Sequence, residues 1–213
     1  EAPSNVRKGT ATRRAGKATA RKILTAAREL LMQEGYAQFS MRNVADAAGL
    51  HLANLQYYFP RRDDLIRAML SDTGKLYEEA YERLLTDTAA DPTERLRTVL
   101  KYQFEDIFVA ETRQFFVQLW ALLSTLEDSP GELLGELYEY DIDPLGQCIK
   151  ALDPELPKSE VRLRARLLAS LIEGLMIVRG PLGPDDAQGK ELLDRAYRIG
   201  LDIAIGATPS RGQ

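Results

Sequence analysis

The side chains that could carry catalysis or bind a metal are few and widely separated. His51 is the single histidine and Cys148 the single cysteine, so no Cys/His cluster, Cys–His pair or Ser–His–Asp set can be assembled. Asp141 and Asp143 form a carboxylate pair, but the neighbouring Pro144 favours a role in capping a helix end. No Gly-rich phosphate loop is present. The sequence therefore predicts no enzymatic activity, no metal and no cofactor.

The segment 40–59 instead has the pattern of two short helices around a glycine. An apolar stripe marks each helix, formed by Val44, Ala45 and Ala48 on the first and by Leu55, Tyr58 and Phe59 on the second. Gly49 lies where a chain reversing after a helix needs φ > 0, and Leu50 is expected to plug the turn. This is the pattern of a helix-turn-helix, whose second helix can enter a DNA major groove about 12 Å wide.

Helical periodicity continues along the whole chain, with no convincing alternating strand. Gly35 ends the first predicted helix, and Pro144 is expected to kink or split the seventh. The predicted helices are 19–34 capped by Thr19, a second capped by Ser40, Leu52–Tyr58, 62–85, 92–109, 111–125, a seventh from Ser129, an eighth from a cap at Ser159 to residue 178, and 185–205.

The two signs of charge are segregated along the chain. Residues 1–70 hold 12 Lys/Arg against 6 Asp/Glu, whereas 71–213 hold 16 against 26, which together give the net charge of −4. A basic region on an acidic body suits a protein that contacts DNA phosphates. Residues 1–17 predict a basic arm, disordered when free, that could follow phosphates or the minor groove, and a solvated tail without a partner is the alternative.

A family resemblance adds to this pattern. The ordered motifs are TARKILTAARELL (19–31), GY (35–36), FSMR (39–42), GL (49–50), LQYYF (55–59) and PRRDDL (60–65). Over roughly residues 19–70 this set resembles the DNA-binding domain of TetR-type transcriptional regulators. The resemblance implies an all-α fold with an N-terminal three-helix helix-turn-helix domain (18–70), a C-terminal helical ligand-binding and dimerisation domain (71–207) and a disordered tail (208–213).

The resemblance also assigns residues to double-stranded DNA. Side chains that can reach bases or phosphates are Ser40, Arg42, His51, Leu52, Ala53, Asn54, Gln56, Tyr57, Arg61 and Arg62. Asn54 and Gln56 can pair bidentately with adenine, whereas Tyr57 and Arg62 suit phosphates. Two positions depart from the family, since His51 replaces a Ser-like cap and Gln56 replaces a tyrosine. These departures affect which bases are read and leave the fold intact.

For the C-terminal domain the resemblance implies a small hydrophobic or amphipathic effector and a homodimer. The candidate pocket residues are Tyr102, Gln103, Phe116, Trp120, Tyr138, Glu173 and Met176. The last two predicted helices carry more apolar side chains than an internal core needs, namely Leu167, Leu168, Leu171, Leu175, Ile177, Leu192, Leu193, Ala196, Ile199, Leu201 and Ile203. Two copies joined there would present two recognition helices about 34–36 Å apart.

The implied mechanism is repression of a palindromic operator, relieved when the effector shifts the fourth helix, with a coupling of about 1–3 kcal/mol. The competing interpretation is a helical protein-interaction module that has lost specific DNA binding, but Arg42, Tyr57 and Arg62 argue against it. The lone Cys148 fits a cytoplasmic protein, and no apolar run approaches the roughly 20 residues of a membrane span.

Overall fold

The computed structural model describes residues 5–87, 91–126 and 130–206, and within them every regular element is helical. The predicted all-α fold is confirmed. The helices are α1 (Asn5–Glu34), a 3-10 turn (Tyr36–Gln38), α2 (Met41–Ala47), α3 (Leu52–Tyr58), α4 (Arg62–Asp87), α5 (Pro92–Asp106), α6 (Ala110–Leu123), α7 (Pro130–Leu152), α8 (Lys158–Val178) and α9 (Ala187–Ile205). None of these described helices combines the length and apolar character of a bilayer span.

The chain divides into two compact units. The first comprises Glu1–Asp72 with Gln118–Pro130, and the second comprises Thr73–Val117 with Gly131–Gln213. The division therefore passes through both α4 and α6. The sequence analysis placed residues 118–130 in the C-terminal domain, whereas the structure groups them with the first unit. This grouping depends on contacts between distant residues, which a local sequence pattern does not show.

The first unit contains α1, α2 and α3 around an apolar centre. Ile23, Ala27 and Leu31 of α1 are fully buried, as are Val44 of α2 and Leu55 of α3. A fully buried aliphatic side chain of this size stabilises the fold by about 1.5–3 kcal/mol, so the predicted stripes are the main source of stability here. Leu50 is only half-buried, because the turn leaves one of its sides open to solvent.

Helix α1 begins much earlier than predicted. It starts at Asn5 rather than after a cap at Thr19, whose hydroxyl instead donates to the carbonyl of Ala15 at 3.1 Å. Residues 5–18 lack proline and are rich in alanine, arginine and lysine, all good helix formers, so a helix anchored by its buried C-terminal half can extend through them. The predicted arm thus overlaps α1 from Asn5 onward, whereas residues 1–4 and the predicted tail 208–213 lie outside the described residues.

The second unit contains α5, α7, α8 and α9 with the adjoining parts of α4 and α6. Asp91 caps α5 by accepting a hydrogen bond from the Thr93 N–H at 3.2 Å, as its sequence predicts. Pro144 lies inside α7 without splitting it, so of the expected kink or split the split is wrong. One missing N–H is tolerated there because apolar neighbours such as Ile142 and Leu145 are buried on the same helix.

The start of α8 also differs from its prediction. The helix begins at Lys158 with Pro157 at the N-cap position and no side-chain cap, so Ser159 is inside the helix rather than its cap. Proline fixes the backbone φ at this position but has no side-chain acceptor, and only its carbonyl accepts, from the N–H groups of Glu160 and Val161. Asp186 caps α9 through the Gln188 N–H at 2.7 Å, one residue after the predicted start. The predicted first residue of the seventh helix, Ser129, lies outside the described residues.

Candidate nucleic-acid interface and internal cavity

Helix α3 has one face buried in the first unit and one face open to solvent. Leu55 is fully buried and Phe59, which follows the helix, is 9% exposed. The predicted DNA-contacting residues lie on the opposite side, with Tyr57 82% exposed. His51, Ala53, Asn54 and Gln56 are also exposed, and Leu52 is half-buried. The open face therefore presents an amide pair, a phenol and small apolar groups on a helix of the width that a major groove accepts.

Two turn geometries hold α2 and α3 in place. Ser40 accepts a hydrogen bond from the Asn43 N–H at 3.1 Å, so its hydroxyl is committed to capping α2. Gly49 has φ 63°, the left-handed conformation that the chain reversal requires. His51 occupies the N-cap of α3 without a side-chain cap, which matches its expected weakness there. The imidazole is consequently exposed rather than bound to the backbone of α3.

Positive side chains flank this face. Arg42, on the first turn of α2, is exposed. Lys22, which the sequence did not single out as a DNA-contacting residue, adds a further positive charge near this face. A β-carbon placed on Gly49 would lie 3.7 Å from the Lys22 Nζ. Its ammonium group therefore lies beside the turn between α2 and α3. The sequence around Lys22 does not indicate this position, because the contact with the turn depends on how α1 packs against α2.

The two arginines after α3 already have protein partners. Arg61 forms a two-point contact with Asp64, at 2.9 Å from Nη2 to Oδ1 and 3.2 Å from Nε to Oδ2, and this contact lowers the pKa of Asp64. Arg62 donates from Nη2 to the hydroxyl of Thr125 at 3.2 Å, and its guanidinium lies 5.9 Å from the centre of the Phe39 ring. A phosphate contact by either arginine would have to displace or share these partners.

The second unit encloses a small cavity of about 20 Å³, enough for one water molecule. Its described lining residues are Tyr77, Tyr81, Tyr102, Gln103, Asp106, Ile107, Phe116, Asp141, Ala169, Ile172, Glu173 and Met176. Five predicted pocket residues lie here, namely Tyr102, Gln103, Phe116, Glu173 and Met176. Tyr138 is not among the lining residues, but its hydroxyl donates to Glu173 at 3.3 Å. Trp120 belongs to the first unit and is not part of the lining.

Each of the three carboxylates at the cavity accepts a hydrogen bond from a tyrosine. The Tyr77 hydroxyl donates to Asp106 at 2.9 Å and the Tyr81 hydroxyl to Asp141 at 2.5 Å, while Glu173 has Tyr138 as its donor. Asp106 also accepts from the Thr112 hydroxyl at 3.2 Å. Sequence reasoning missed Tyr77, Tyr81, Asp106 and Asp141. Acids and tyrosines on amphipathic helices usually face solvent, and only the packing of α4, α5 and α7 brings these together.

The carboxylates hold their protons more tightly than they would in water. Burial raises the pKa of Glu173 to about 8, and repulsion from Asp141 adds to the effect. Burial also raises the pKa of Asp141 to about 6, although the hydrogen bond from Tyr81 opposes it. The pKa of Asp106 is raised by burial as well. Neighbouring carboxyls with little water around them cannot all ionise cheaply, so the cavity favours neutral acids.

This proton affinity predicts a pH-dependent stability. The pKa of Glu173 is higher in the folded protein, about 8, than its ordinary value of 4.5, so its contribution is present at low pH and is lost as pH rises through 8. We expect Glu173→Gln to raise the free energy of unfolding at pH 9 by about 1–3 kcal/mol, allowing for solvent at this half-buried side chain, and to change it little at pH 4. Urea unfolding at both pH values measures this.

Glu136→Gln provides the control for that experiment, because Glu136 is an exposed residue on α7 and its substitution removes the same charge. Equal effects of the two substitutions at pH 9 would contradict the assignment of Glu173 to a buried acid cluster.

Comparisons with known proteins agree with the geometry of the first unit. The family model described as bacterial regulatory proteins, tetR family, matches residues 23–69, from α1 into α4. An HTH-type transcriptional regulator in the dhlA 5′ region of Xanthobacter autotrophicus is 31% identical over 146 residues, which cover 62% of this chain and 69% of that protein. The HTH-type transcriptional regulator BetI of Stenotrophomonas maltophilia is 26% identical over 160 residues, covering 75% of this chain and 80% of the relative.

Solved structures share the fold over most of the chain. A transcriptional regulator from Saccharomonospora viridis, solved in complex with choline, aligns with TM-score 0.65 and 22% identity over 90% of this chain and 97% of that one. The regulator FadR from Bacillus subtilis, solved in complex with stearoyl-CoA, aligns with TM-score 0.66 and 16% identity over 88% and 99%. At these identities the likeness concerns the arrangement of helices.

Proposed function

The chain belongs to the tetR family of bacterial regulatory proteins, and from that premise we propose that it is a homodimeric repressor released from a palindromic operator by a small effector. Members of this family are DNA-binding transcriptional regulators rather than enzymes. The observation that carries the proposal is the open face of α3, where Tyr57 is 82% exposed while Leu55 of the same helix is fully buried. We also propose that the protein acts in the cytoplasm, where its buried thiol, Cys148, stays reduced.

Base reading is assigned to the exposed amides of α3. Asn54 and Gln56 can each present a donor and an acceptor to the edge of adenine, and Ala53 and Leu52 can contact a thymine methyl group. Tyr57, Arg42 and Lys22 suit the flanking phosphates. Arg61 and Arg62 are assigned a supporting role, since both are held by acceptors in the first unit. His51 lies at the N-terminus of α3, close to where a base edge would lie.

The dimer interface is assigned to α8 and α9. Large apolar side chains are exposed on both helices, namely Leu163, Leu167, Ile177 and Val178 on one face of α8 and Ile199 and Ile205 on α9. Exposed apolar surface of this kind on a monomer marks an interaction site. A two-fold axis through it would join four helices and double the number of bases that one protein assembly reads.

The effector site is assigned to the cavity of the second unit. Two structures of the same fold were solved in complex with choline and with stearoyl-CoA, which supports a ligand site in this chain. Tyr77 and Tyr81 at the cavity lie on α4, whose first residues, 62–72, belong to the unit that contains α3. A ligand that shifts α4 can therefore change the presentation of α3. A coupling of about 1–3 kcal/mol would weaken operator binding by several-fold to about a hundredfold.

Selection of bound duplexes from a random pool tests the proposal. We expect an enriched palindrome whose half-sites lie about one helical turn apart, bound with a steep dependence on salt. The interaction-module alternative predicts no enrichment over the starting pool. Absence of enrichment at low salt would overturn the proposed function.

A further inference from the structure

We propose that the cavity of the second unit binds an organic cation, a substituted ammonium with small apolar substituents, in preference to neutral or anionic molecules of the same shape. The inference rests on the proposed function only in calling this ligand the effector. The binding chemistry itself follows from the residues that line the cavity, and it revises the expectation of a merely hydrophobic or amphipathic ligand.

The charge at the cavity has one sign. Asp106, Asp141 and Glu173 contribute carboxyl groups, and no lysine, arginine or histidine is among the described lining residues. Two arginines outside the described lining interact with lining residues. Arg113 donates to the carbonyl of Met176 at 3.0 Å, and Arg83 acts electrostatically on Tyr102. A cation entering the cavity would meet three potential counter-charges, whereas an anion would meet none.

One buried polar atom at the cavity lacks a hydrogen-bond partner. Gln103 is 5% exposed, and its Nε2 donates to the Tyr81 hydroxyl at 2.8 Å, which in turn donates to Asp141. Because Nε2 is used as the donor, the remaining polar atom of the Gln103 amide is the acceptor Oε1. This oxygen accepts no hydrogen bond from any described residue. A buried acceptor without a donor is destabilising, and a bound donor or positive charge would remove that penalty.

Aromatic rings complete the lining. Tyr102, Tyr81, Tyr77 and Phe116 form a row in which neighbouring ring centroids are 5.7, 6.4 and 6.1 Å apart. Ring faces attract cations within about 6 Å, and aromatic cages with nearby acids are a general means of holding substituted ammonium groups. The combination of rings and carboxylates selects for a charged group that carries apolar substituents.

A metal ion fits these residues poorly. In the described part of the chain, no three acid, histidine or cysteine side chains converge closely enough to ligate one metal. Two of the carboxylates instead accept hydrogen bonds from tyrosines, Asp106 from Tyr77 and Asp141 from Tyr81. A metal ion needs several converging oxygen ligands, whereas a substituted ammonium does not.

The cavity must widen to admit such a cation, because its present volume of about 20 Å³ accommodates only a water-sized group. The rings of Tyr77 and Tyr81 form the α4 wall, so widening displaces either these side chains or α4 itself. This gives the cation a direct means of biasing α4, and it makes ligand size a determinant of the response.

Calorimetry with three molecules of matched shape tests the proposal on the purified full chain. The probes are tetramethylammonium, 2,2-dimethyl-1-propanol and pivalate, which are positive, neutral and negative. We expect saturable binding of tetramethylammonium and at least tenfold weaker binding of the other two. Absence of tetramethylammonium binding, or equal binding of the neutral or anionic probe, would overturn the proposal.

Two variants locate the charge that matters. Asp141→Asn keeps the shape and an acceptor for Tyr81, and we expect it to weaken tetramethylammonium binding about tenfold or more. Asp143→Asn, which removes the same charge from an exposed position two residues away, is the control. Glu173→Gln provides a second test should Asp141→Asn fail to fold. Retention of full affinity in both cavity variants would overturn the site.

Proton release gives a readout that a purely structural role would not produce. The groups that titrate around the cavity are Tyr77 and Tyr81 of α4, Tyr102 and Asp106 of α5, Tyr138 and Asp141 of α7, and Glu173 of α8, with Arg83 and Arg113 as neighbouring cations. A bound cation favours ionised carboxyls, so binding at pH 7 should release protons and should strengthen from pH 6 to pH 9. Identical heats in phosphate and Tris buffers would count against the proposal.

The same probes separate the site from the regulatory role. If the selected duplex is bound and tetramethylammonium weakens that binding, both proposals are supported. If no duplex is bound while the cation still binds, the proposed function fails and the cation site stands. If the duplex is bound but no cation binds, the cation site fails and the DNA-binding function stands.

Discussion

Leu167→Glu is expected to convert the protein from a dimer to a monomer and to lower its affinity for a palindromic duplex by about a hundredfold or more. Leu167 is 49% exposed on α8, between Leu163 and the exposed Ile177 and Val178. A carboxylate there would be buried against the same face of a second copy and would be left unpaired. Burying an unpaired charge costs several kcal/mol, more than most interfaces of this kind can offset.

The loss of DNA affinity follows from the loss of the second recognition helix. In a dimer, binding of one α3 to its half-site holds the α3 of the second copy at a high effective concentration near the other half-site. A monomer has only one α3 and lacks this gain in affinity. Sedimentation and mobility shift on the selected palindrome measure the two effects. Val109→Glu provides a matched control, because Val109 is 44% exposed but lies outside α8 and α9. A dimeric Leu167→Glu variant with unchanged affinity would place the interface elsewhere.

Local signals in the sequence were enough to predict α2, α3 and the turn between them, together with the end of α1. Gly49 has the positive φ that the chain reversal demands, and Ser40 caps α2 as its position predicts. The apolar stripes at Val44 and Leu55 are buried. Each of these features depends on a few neighbouring residues, so sequence spacing alone carries the information.

The acid and tyrosine cluster depends on contacts between residues far apart in the chain. Tyr81 and Asp141 are 60 residues apart, and Gln103 reaches Tyr81 across 22 residues. Nothing in a helical pattern distinguishes a buried Asp141 from the exposed Asp143 two positions later. The aromatic residues of α5 and α6 did predict an apolar lining, but its charge became evident only when the helices were packed.

Residues 118–126 show the same limit in the first unit. The Gln118 side chain accepts a hydrogen bond from the Tyr36 N–H at 2.9 Å, and Thr125 accepts one from Arg62. Both contacts join residues 118–126 to residues more than 60 positions earlier. The sequence assigned Arg62 to a phosphate because its neighbours in the chain suggested DNA, whereas the acceptor that holds it lies on a distant segment. A loss of DNA binding in Arg62→Ala would therefore have two possible causes, and Tyr57 and Asn54 provide cleaner tests.

Tyr57→Ala and Asn54→Ala are expected to weaken DNA binding in two different ways. Tyr57 is 82% exposed, so its truncation removes a contact without opening a cavity. If its hydroxyl binds a phosphate, affinity falls by about tenfold on every duplex. Asn54 is assigned to a base edge, so its loss should cost about 1–3 kcal/mol on the selected palindrome and almost nothing on random duplexes.

Titration of both duplexes with each variant distinguishes these effects, and circular dichroism confirms that α3 is retained. Tyr36→Ala is the matched control, because Tyr36 is an aromatic residue of the first unit that is 43% exposed and lies outside α3. The two α3 variants differ from each other only if the exposed face of α3 enters the groove, with Asn54 toward the bases and Tyr57 toward the backbone. Unchanged affinity and unchanged base preference in both variants would show that a different surface contacts DNA.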